Sequence, residues 1–286
     1  MSQDHTLLLG AVAYDPKVVT IWDGFQAYFE RRGLPFDYIL YTNYERQVEA
    51  LLAGHIHVAW NSPLAWLQTE RIAARLGQRA QAICMRDTDR DLISVIVTRE
   101  GGPVRSILDL KGRRVAVGAK DSPQATLIPL YHLAQQGLQP HIDFEVLPFD
   151  RLVGKHGDHI GGERDAVRAL LRGECDAACL IDGNLLLFAQ EGTLPAGSVR
   201  VLAMTQAYDH CNFTVLDGRM PAAVAMFREI LLAMSYEDPE VRRLLDLEGL
   251  KRWLPGRTEG YQVLSNAVDA FGYLDDFTAA VIGRCK

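Results

Sequence analysis

Short apolar segments alternate with segments of helical periodicity along most of the chain, and this alternation limits the fold more than any other feature. Apolar runs at 6–14 and 36–41 are separated by an amphipathic stretch from Val18 to Arg32. Strands separated by helices of this length are typical of a parallel sheet with helices on both of its faces. The sequence therefore predicts an α/β fold.

The alternation continues through the middle of the chain. Further strands are predicted at 56–60, 91–100, 113–119, 144–149, 176–182 and 199–205. The run "GGPVRSILDLKG" contains a Gly-Pro break and divides two strand and helix series that each look self-sufficient. We therefore expect two lobes, one formed by residues 1–95 and 206–286 and the other by residues 96–205.

Charge and hydropathy narrow the class of partner. The net charge of −6 is mild, and basic and acidic residues are interleaved, so neither nucleic acid nor an anionic lipid surface is expected as a partner. No stretch approaches the ~20 consecutive apolar residues that span a bilayer. The predicted partner is a small-molecule ligand, and no membrane insertion is expected.

The beginning of the chain and its cysteines bear on location. The segment "MSQDHTLLLGAVAYDP" has no basic region ahead of its short apolar run, so no secretory signal is predicted. The five cysteines are odd in number and include no CxxC pair, which suits reduced thiols better than a disulfide framework. A cytoplasmic location is expected.

Two similar junctions, "NSPLAW" at 61–66 and "DSPQAT" at 121–126, each follow a predicted strand. Serine is a preferred helix N-cap, and proline fits the first helical position, so both junctions could simply begin helices. However, ligands of α/β proteins bind at strand ends, and a helix N-terminus offers free N–H donors. One such junction in each lobe could also grip a ligand from two sides.

Several long segments carry a resemblance to a known family: "YERQVEALLAGHIHVAWNSPLAW", "ILDLKGRRVAVGAKDSPQATLIP", "DAVRALLRGECDAACLID" and "LEGLKRWLPGRTEGYQVL". They resemble the phosphate, phosphite and phosphonate-binding proteins of ABC importers. That resemblance implies a two-lobed, periplasmic-binding-protein-like fold of type II with a ligand cleft between the lobes. It covers most of the chain.

The resemblance also identifies a ligand-binding loop. The family has a Ser-Thr-Ser-Gly run before Leu-x-Pro, and this chain has Ser122, Pro123, Gln124 and Ala125 there, followed by Thr126. Only the first hydroxyl matches. Because Pro123 has no backbone N–H, the loop offers fewer donors to an anion than the family loop does.

Other positions depart from the family pattern in ways that affect the ligand. The Gly-Ser-His of the family corresponds to Gly161, Gly162 and Glu163, and an aromatic residue of the family is replaced by Leu92. A carboxylate in place of the histidine would repel a phosphonate dianion. Asp182 matches a family carboxylate that faces the cationic end of the ligand, so a carboxylate-bearing or zwitterionic ligand is predicted instead of phosphonate.

Eight side chains are the predicted ligand contacts. Tyr14, at the end of the first strand, could stack on a ligand. The full set is Tyr14, Asn61, Ser62, Ser122, Gln124, Thr126, Glu163 and Asp182.

A cytoplasmic enzyme on the same fold, a lyase or hydrolase, is the alternative function. Glu163 would act as the acid or base, assisted by His210 or His159. His210 precedes Cys211, but adjacent residues of an extended strand point to opposite faces, so these two are not expected to pair. Cys211 is expected to be a buried core residue.

No cofactor is predicted, although one segment could bind a metal. The run "GKHGDHIGGERD" contains His156, Asp158, His159 and Glu163, whose side chains suit a divalent cation. His159 and Glu163 would be neighbours only if a helix began before the glycines that separate them, and those glycines argue against such a start. A surface loop is the competing interpretation.

Overall fold

The computed structural model describes residues 6–150 and 159–285 and divides the chain into two compact units. Each unit is assembled from separate stretches of sequence. Unit 1 comprises the described residues of Met1–Arg90, Asp209–Gln262 and Gly272–Lys286, and unit 2 those of Asp91–Tyr208 and Val263–Phe271.

Unit 1 is built on a six-stranded sheet. In spatial order its strands are β11 (Trp253–Pro255), β4 (Ala80–Arg86), β10 (Asn212–Leu216), β3 (Val58–Asn61), β1 (Leu7–Val12) and β2 (Phe36–Tyr41). Strand β1 is parallel to β2 and β3, whereas β10 is antiparallel to β3 and β4. The sheet is therefore mixed: the predicted parallel pairing holds for β1, β2 and β3 but not for the pairs that β10 makes. Strand β10 does not follow a helical crossover within unit 1, so nothing constrains it to the parallel direction.

The helices of unit 1 cover this sheet. They are α1 (Lys17–Glu30), α2 (Tyr44–Ala53), α3 (Pro63–Arg75), α7 (Pro221–Leu232), α8 (Pro239–Glu248) and α10 (Asp275–Cys285). Helix α1 buries Val18, Phe25 and Phe29, which recur at helical spacing and share a core with Phe213 of β10. This apolar stripe explains why the segment is helical and which face it buries.

Unit 2 has a five-stranded sheet of its own. In spatial order its strands are β7 (Glu145–Pro148), β6 (Arg114–Val117), β8 (Ala177–Ile181), β5 (Ser94–Arg99) and β9 (Val199–Met204). Strand β6 is parallel to β7 and β8, and β5 is antiparallel to β8 and β9. Its helices are α4 (Ile128–Gln135), α5 (His159–Leu171), α6 (Asp182–Gln190) and α9 (Gln262–Phe271). The first residue of α9, Gln262, is assigned to unit 1 and the rest of the helix to unit 2.

Both Ser-Pro junctions begin helices, as predicted. Ser62 Oγ accepts a hydrogen bond from the Ala65 N–H at 3.3 Å, and Ser122 Oγ accepts one from the Ala125 N–H at 3.1 Å. After Ser122 the first turn, Pro123–Leu127, is π-helical and leads directly into α4. The N-cap role of both serines is confirmed.

Helix α5 begins at His159, ahead of the two glycines that argued against such an early start. Gly162 explains why the glycines are tolerated. A Cβ atom at Gly162 would lie 2.6 Å from the carbonyl oxygen of Phe149, so only glycine permits this close approach of the helix to the chain after β7. Close packing thus outweighs the weak helix propensity of glycine.

Within residues 6–150 and 159–285, every helix is too short or too polar to cross a bilayer.

Candidate functional site

Polar side chains collect at one edge of the unit 2 sheet. Because β6 and β8 are parallel neighbours, both end at the same edge, where β6 leads to the Ser122 junction and β8 leads to Asp182. Strand β5 runs the opposite way and begins there, with Ser94 paired to Ile181. We call this group of Ser94, Ser122, Gln124, Asp182 and Tyr208 the polar edge of unit 2.

The hydroxyls of the Ser122 loop already have partners within unit 2. Ser122 is fully buried, and its oxygen caps the following helix. Thr126 Oγ1 donates to the carbonyl of Ala119 at 2.7 Å. Ser122 keeps its own hydroxyl proton to donate, whereas the hydroxyl of Thr126 is used locally.

Gln124 differs from its neighbours in the loop. It is only 7% exposed, yet its side-chain oxygen Oε1 has no hydrogen-bond partner among the described residues. A buried amide oxygen without a partner costs about 1–3 kcal/mol, and such oxygens are normally satisfied by protein, water or ligand. Gln124 Oε1 is therefore an acceptor that a ligand N–H group would satisfy.

Tyr208 is a buried member of the polar edge that the sequence did not single out. The Ser94 hydroxyl donates to the Gln124 carbonyl at 2.5 Å and lies 2.8 Å from the Tyr208 hydroxyl. Since the single proton of Ser94 is used on that carbonyl, the Tyr208 hydroxyl donates to Ser94. The Tyr208 oxygen keeps lone pairs that can accept a further hydrogen bond.

The Tyr208 hydroxyl is also held in its protonated form. Burial raises the pKa of Tyr208, and the charges of Glu163 and Asp182 raise it further, although the hydrogen bond with Ser94 acts in the opposite direction. Tyr208 pairs with Leu92 in an isolated antiparallel bridge. An aromatic side chain thus lies next to the position where the family aromatic is missing. Only the strand pairing reveals this, because 92 and 208 are far apart in sequence.

Glu163 lies beneath the polar edge instead of on its surface. Its side chain is fully buried, and Oε2 accepts hydrogen bonds from the Ile181 N–H at 3.0 Å and from Asn184 Nδ2 at 2.8 Å. This carboxylate therefore connects α5 to the start of α6. Direct ligand contact or acid–base chemistry at Glu163 stays a prediction, and its burial gives that prediction no support.

Asp182, in contrast, is exposed at the first position of α6. Its Oδ1 accepts a hydrogen bond from the Gly183 N–H at 2.7 Å. The side chain faces solvent at the end of β8, where a ligand can reach it. Its predicted role as the partner of a cationic group is compatible with this position.

Unit 1 contains a separate charged cluster around Arg86, the last residue of β4. Arg86 Nε and Nη2 bond the two carboxylate oxygens of Asp89 at 2.5 and 2.9 Å, and Nη1 lies 3.3 Å from Glu248 Oε1. The guanidinium also lies 5.2 Å from the ring centroid of Trp60, which is a core residue. One cation thus holds two buried carboxylates.

These two carboxylates titrate very differently. Burial acts to raise the pKa of Asp89, but the charge of Arg86 and the hydrogen bonds from His210 and Arg86 lower it to about 2. Burial raises the pKa of Glu248 to about 7, because its weaker contact with Arg86 and the nearby charge of Lys17 do not offset the burial and the charge of Asp89. The bidentate partner is thus firmly ionised, and the other titrates near neutrality.

His210 and Cys211 pair with each other, contrary to the prediction. The distance from His210 Nδ1 to Cys211 Sγ is 3.1 Å, and the same nitrogen lies 3.5 Å from Asp89 Oδ1. Alternation of side chains applies only inside a regular strand, and β10 begins one residue later, at Asn212. Burial acts to lower the pKa of His210, but Cys211 and Asp89 raise it to about 10. The predicted burial of Cys211 is confirmed.

The predicted ligand contacts of unit 1 differ in accessibility. Tyr14 is 43% exposed, and its pKa is raised to about 12 by burial of the hydroxyl and by the charge of Glu248, against the opposing charge of Arg86. Ser62 is half-buried and caps α3. Tyr14 is therefore the more accessible of these two for a ligand.

Asn61 is fully buried inside unit 1. Its oxygen accepts a hydrogen bond from Gln47 Nε2 at 2.8 Å, and its nitrogen donates to Thr69 and Thr214 at 3.3 and 2.9 Å. This amide ties β3 to α2, α3 and β10, and the geometry gives no support to a direct ligand contact. The sequence could not show this, because an asparagine at the end of a strand can form hydrogen bonds with buried groups of the protein as readily as with a ligand.

The metal group predicted from the sequence falls largely outside the described residues. His156, Asp158 and the side chain of His159 are in that part of the chain.

The comparison with protein families identifies the class of the chain. The family model described as "ABC transporter, phosphonate, periplasmic substrate-binding protein" matches residues 11–261. The chain therefore belongs to this family of substrate-binding proteins.

Solved structures confirm the fold. PhnD1 from Prochlorococcus marinus in complex with methylphosphonate has a TM-score of 0.67 at 17% identity, with 94% of this chain and 99% of that chain covered. A binding component of an ABC phosphonate transporter from Pseudomonas aeruginosa has a TM-score of 0.61 at 11% identity, covering 99% and 98%.

A sulfonate-binding protein is also similar. The periplasmic aliphatic sulphonate binding protein SsuA from Escherichia coli has a TM-score of 0.54 at 18% identity, covering 93% of this chain and 83% of that chain. The predicted α/β, type II periplasmic-binding-protein-like fold is confirmed.

Proposed function

We propose that this chain is a substrate-binding protein whose ligand is a small zwitterion with a protonated amine and a carboxylate, and that phosphonate is not its ligand. The observation that carries the proposal is the buried Gln124 Oε1, which has no partner within the described residues. Three acceptors belong to the polar edge of unit 2, namely Gln124 Oε1, the Asp182 carboxylate and the Tyr208 oxygen. A ligand rich in N–H donors complements them.

The balance of donors and acceptors disfavours a phosphonate at this edge. A phosphonate presents three oxygen acceptors and needs several donors. Within the Ser122 loop, Pro123 has no N–H, the Ala125 N–H is used by Ser122, and the Thr126 hydroxyl is used by Ala119. The buried Glu163 carboxylate adds repulsion for a dianion. A monovalent carboxylate needs fewer donors, and the Ser122 hydroxyl is one of them.

Calorimetric titration of the purified full chain tests this proposal. The probes are small amino acids, the corresponding carboxylic acids without the amine, and methylphosphonate. We expect amino acids to bind and the amine-free acids to bind at least about tenfold more weakly, because the acceptors of the polar edge would then be left unpaired. Tight binding of methylphosphonate with no response to amino acids would contradict the proposal.

The variant Asp182→Asn tests whether Asp182 contacts the amine of the ligand. We expect it to weaken amino-acid binding about tenfold while leaving the weak binding of amine-free acids unchanged. Glu100→Gln is the matched control, because Glu100 is also exposed, also accepts a hydrogen bond from the next glycine N–H, and lies beyond the opposite end of β5. Equal losses in both variants would remove Asp182 from the site.

The two-sided grip, with Tyr14 and Ser62 contributing from unit 1, stays a prediction. The enzyme alternative gains no support, since Glu163 is buried and its Oε2 is engaged by Ile181 and Asn184. Absence of turnover of any bound amino acid is the expected result, and chemical conversion of the ligand by the purified chain would revive the alternative.

The cytoplasmic location predicted from the sequence remains part of the proposal. Cys84, Cys175, Cys179 and Cys211 are free thiols, which suits a reducing compartment, whereas the description of the family names the periplasm. Fractionation of cells that express the chain separates the two cases. Recovery with the periplasmic fraction would overturn this expectation.

A further inference from the structure

Three side chains of different chemistry converge in unit 1. Asp89, His210 and Cys211 each present one ligand atom, and these atoms all lie within 4.8 Å of one another. The residues come from opposite ends of the long sequence stretch that forms unit 2, Asp89 just before it and His210 just after it. A hydrogen bond from the His210 N–H to the Asp89 carbonyl, at 2.8 Å, joins the two segments.

We propose that Asp89, His210 and Cys211 form a binding site for a single divalent cation of the Zn²⁺ type. Nothing in the small-molecule function requires this site, and the two proposals can fail separately.

The spacing of the ligand atoms suits tetrahedral coordination. His210 Nδ1 lies 3.1 Å from Cys211 Sγ and 3.5 Å from Asp89 Oδ1. Zn²⁺ bonds of about 2.0–2.3 Å at tetrahedral angles separate the ligand atoms by roughly 3.3–3.8 Å. These two separations therefore need adjustments of only a few tenths of an ångström, and the third, between the Asp89 carboxylate and Cys211 Sγ, is within 4.8 Å. Three protein ligands leave a fourth position for water or for a ligand.

The surroundings hold these side chains in place. Asp89 is almost fully buried, and both of its oxygens are oriented by Arg86. Carboxylates that bind a metal usually accept such additional hydrogen bonds, which orient them and leave a lone pair on each oxygen for the metal. Arg86 is thus compatible with metal binding at Asp89 and does not need to be displaced.

The charges of the cluster also balance with a dication present. With His210 neutral, Cys211 as thiolate and Glu248 ionised, the negative charges are those of Asp89, Cys211 and Glu248. Arg86 and a dication together supply three positive charges. Zn²⁺ binds imidazole in its neutral form and cysteine as thiolate, so any proton on these groups leaves when the metal binds.

The donor set selects the kind of metal. A thiolate and an imidazole favour Zn²⁺ and related transition metals, whereas Mg²⁺ and Ca²⁺ prefer a full set of oxygen ligands. Mg²⁺ therefore serves as the negative control.

Co²⁺ titration of the chelator-treated full chain tests the site. Co²⁺ replaces Zn²⁺ in sites of this kind, and a bond to a thiolate produces a charge-transfer absorption band in the near ultraviolet. We expect this band to saturate at one Co²⁺ per chain, to disappear on addition of Zn²⁺, and to persist in excess Mg²⁺. No band in the wild-type chain, or saturation at several ions, would overturn the proposal.

Cys211→Ala is the decisive variant, and Cys84→Ala is its control because Cys84 is another buried cysteine of unit 1. We expect Cys211→Ala to lose the band and at least about tenfold in Co²⁺ affinity, and Cys84→Ala to retain both. An unchanged band in Cys211→Ala would exclude the site.

A measurement on the wild-type chain covers the case in which the variant fails to fold. We expect Zn²⁺ to raise the melting temperature of the wild-type chain and Mg²⁺ not to raise it, because a ligand that binds only the folded state stabilises it. If Zn²⁺ leaves the melting temperature unchanged, the proposal is wrong.

Discussion

At the scale of single residues, Arg86 shows how two carboxylates that contact the same cation can have very different pKa values. Asp89 receives two short hydrogen bonds, and its pKa falls to about 2. Glu248 receives a longer one, and burial raises its pKa to about 7. Geometry at the guanidinium decides which carboxylate is stabilised as an anion, because a bidentate contact compensates desolvation better than a single contact.

Glu248→Gln should change the dependence of stability on pH. The folded-state pKa of Glu248 is raised to about 7, so the folded chain binds this proton more tightly than the unfolded chain does. This contribution is fully present below the unfolded pKa, about 4.5, and is lost as the pH rises through 7. We expect wild type to lose on the order of 3 kcal/mol from this source between pH 4.5 and 8 and Glu248→Gln not to lose it.

Urea unfolding with chelator present, at several pH values across this window, measures the effect. Glu229→Gln is the control, because Glu229 is an exposed carboxylate of α7. Parallel stability curves for wild type and Glu248→Gln would show that Glu248 does not titrate in this range.

At the scale of elements, the two Ser-Pro junctions share a local structure but differ in environment. Each serine caps the helix that follows, with proline at the first helical position. Ser62 is half-buried, whereas Ser122 is fully buried and followed by a π-helical turn. Gly118 permits the tighter packing in unit 2, since a Cβ atom there would lie 2.8 Å from the Cβ of Ala125.

Replacing each serine with alanine should cost different amounts of stability in these two environments. Ser62→Ala removes one cap and should cost about 1 kcal/mol of unfolding free energy. Ser122→Ala should cost about 2 kcal/mol because Ser122 is fully buried, so water cannot replace its hydroxyl as the partner of the Ala125 N–H. Ser62→Asp is the control, since aspartate also caps helices and should be nearly neutral. Urea unfolding measures all three, and an equal loss in Ser62→Asp and Ser62→Ala would contradict the capping role.

At the scale of the whole molecule, two units made from interleaved stretches of chain each bury their own core. Unit 1 has the aromatic cluster around Phe213, and unit 2 has an aliphatic core that includes Val95 and Leu180. Each of these cores also contains a cysteine, Cys84 in unit 1 and Cys175 in unit 2.

Alkylation of the native chain should therefore spare the core thiols of both units. Burial raises the pKa of Cys84 to about 12 and that of Cys175 to about 11, so little reactive thiolate forms at pH 8. We expect iodoacetamide to label Cys84, Cys175 and Cys179 only after denaturation, as mapped by peptide mass spectrometry. Rapid labelling of any of them in the folded chain would show that its core opens readily.

Much of this architecture follows from local sequence. The apolar alternation predicted an α/β fold, and the Ser-Pro pairs predicted two capped helices, because periodicity and capping act within a few residues. Strands β4 and β11 were not predicted. The segment "AQAICMR" of β4 does not alternate strictly, and β11 has three residues, so pairing with neighbouring strands defines both.

The family and the two Ser-Pro helix starts were determined by the sequence itself, because they depend on residues that lie close together along the chain. Only the tertiary structure decided that Tyr208 lies beside Leu92, that Asn61 is used inside unit 1, and that His210 meets Cys211 and Asp89. The physical reason is that hydrogen bonds and charges act over a few ångströms in space, and chain folding brings distant residues within that range.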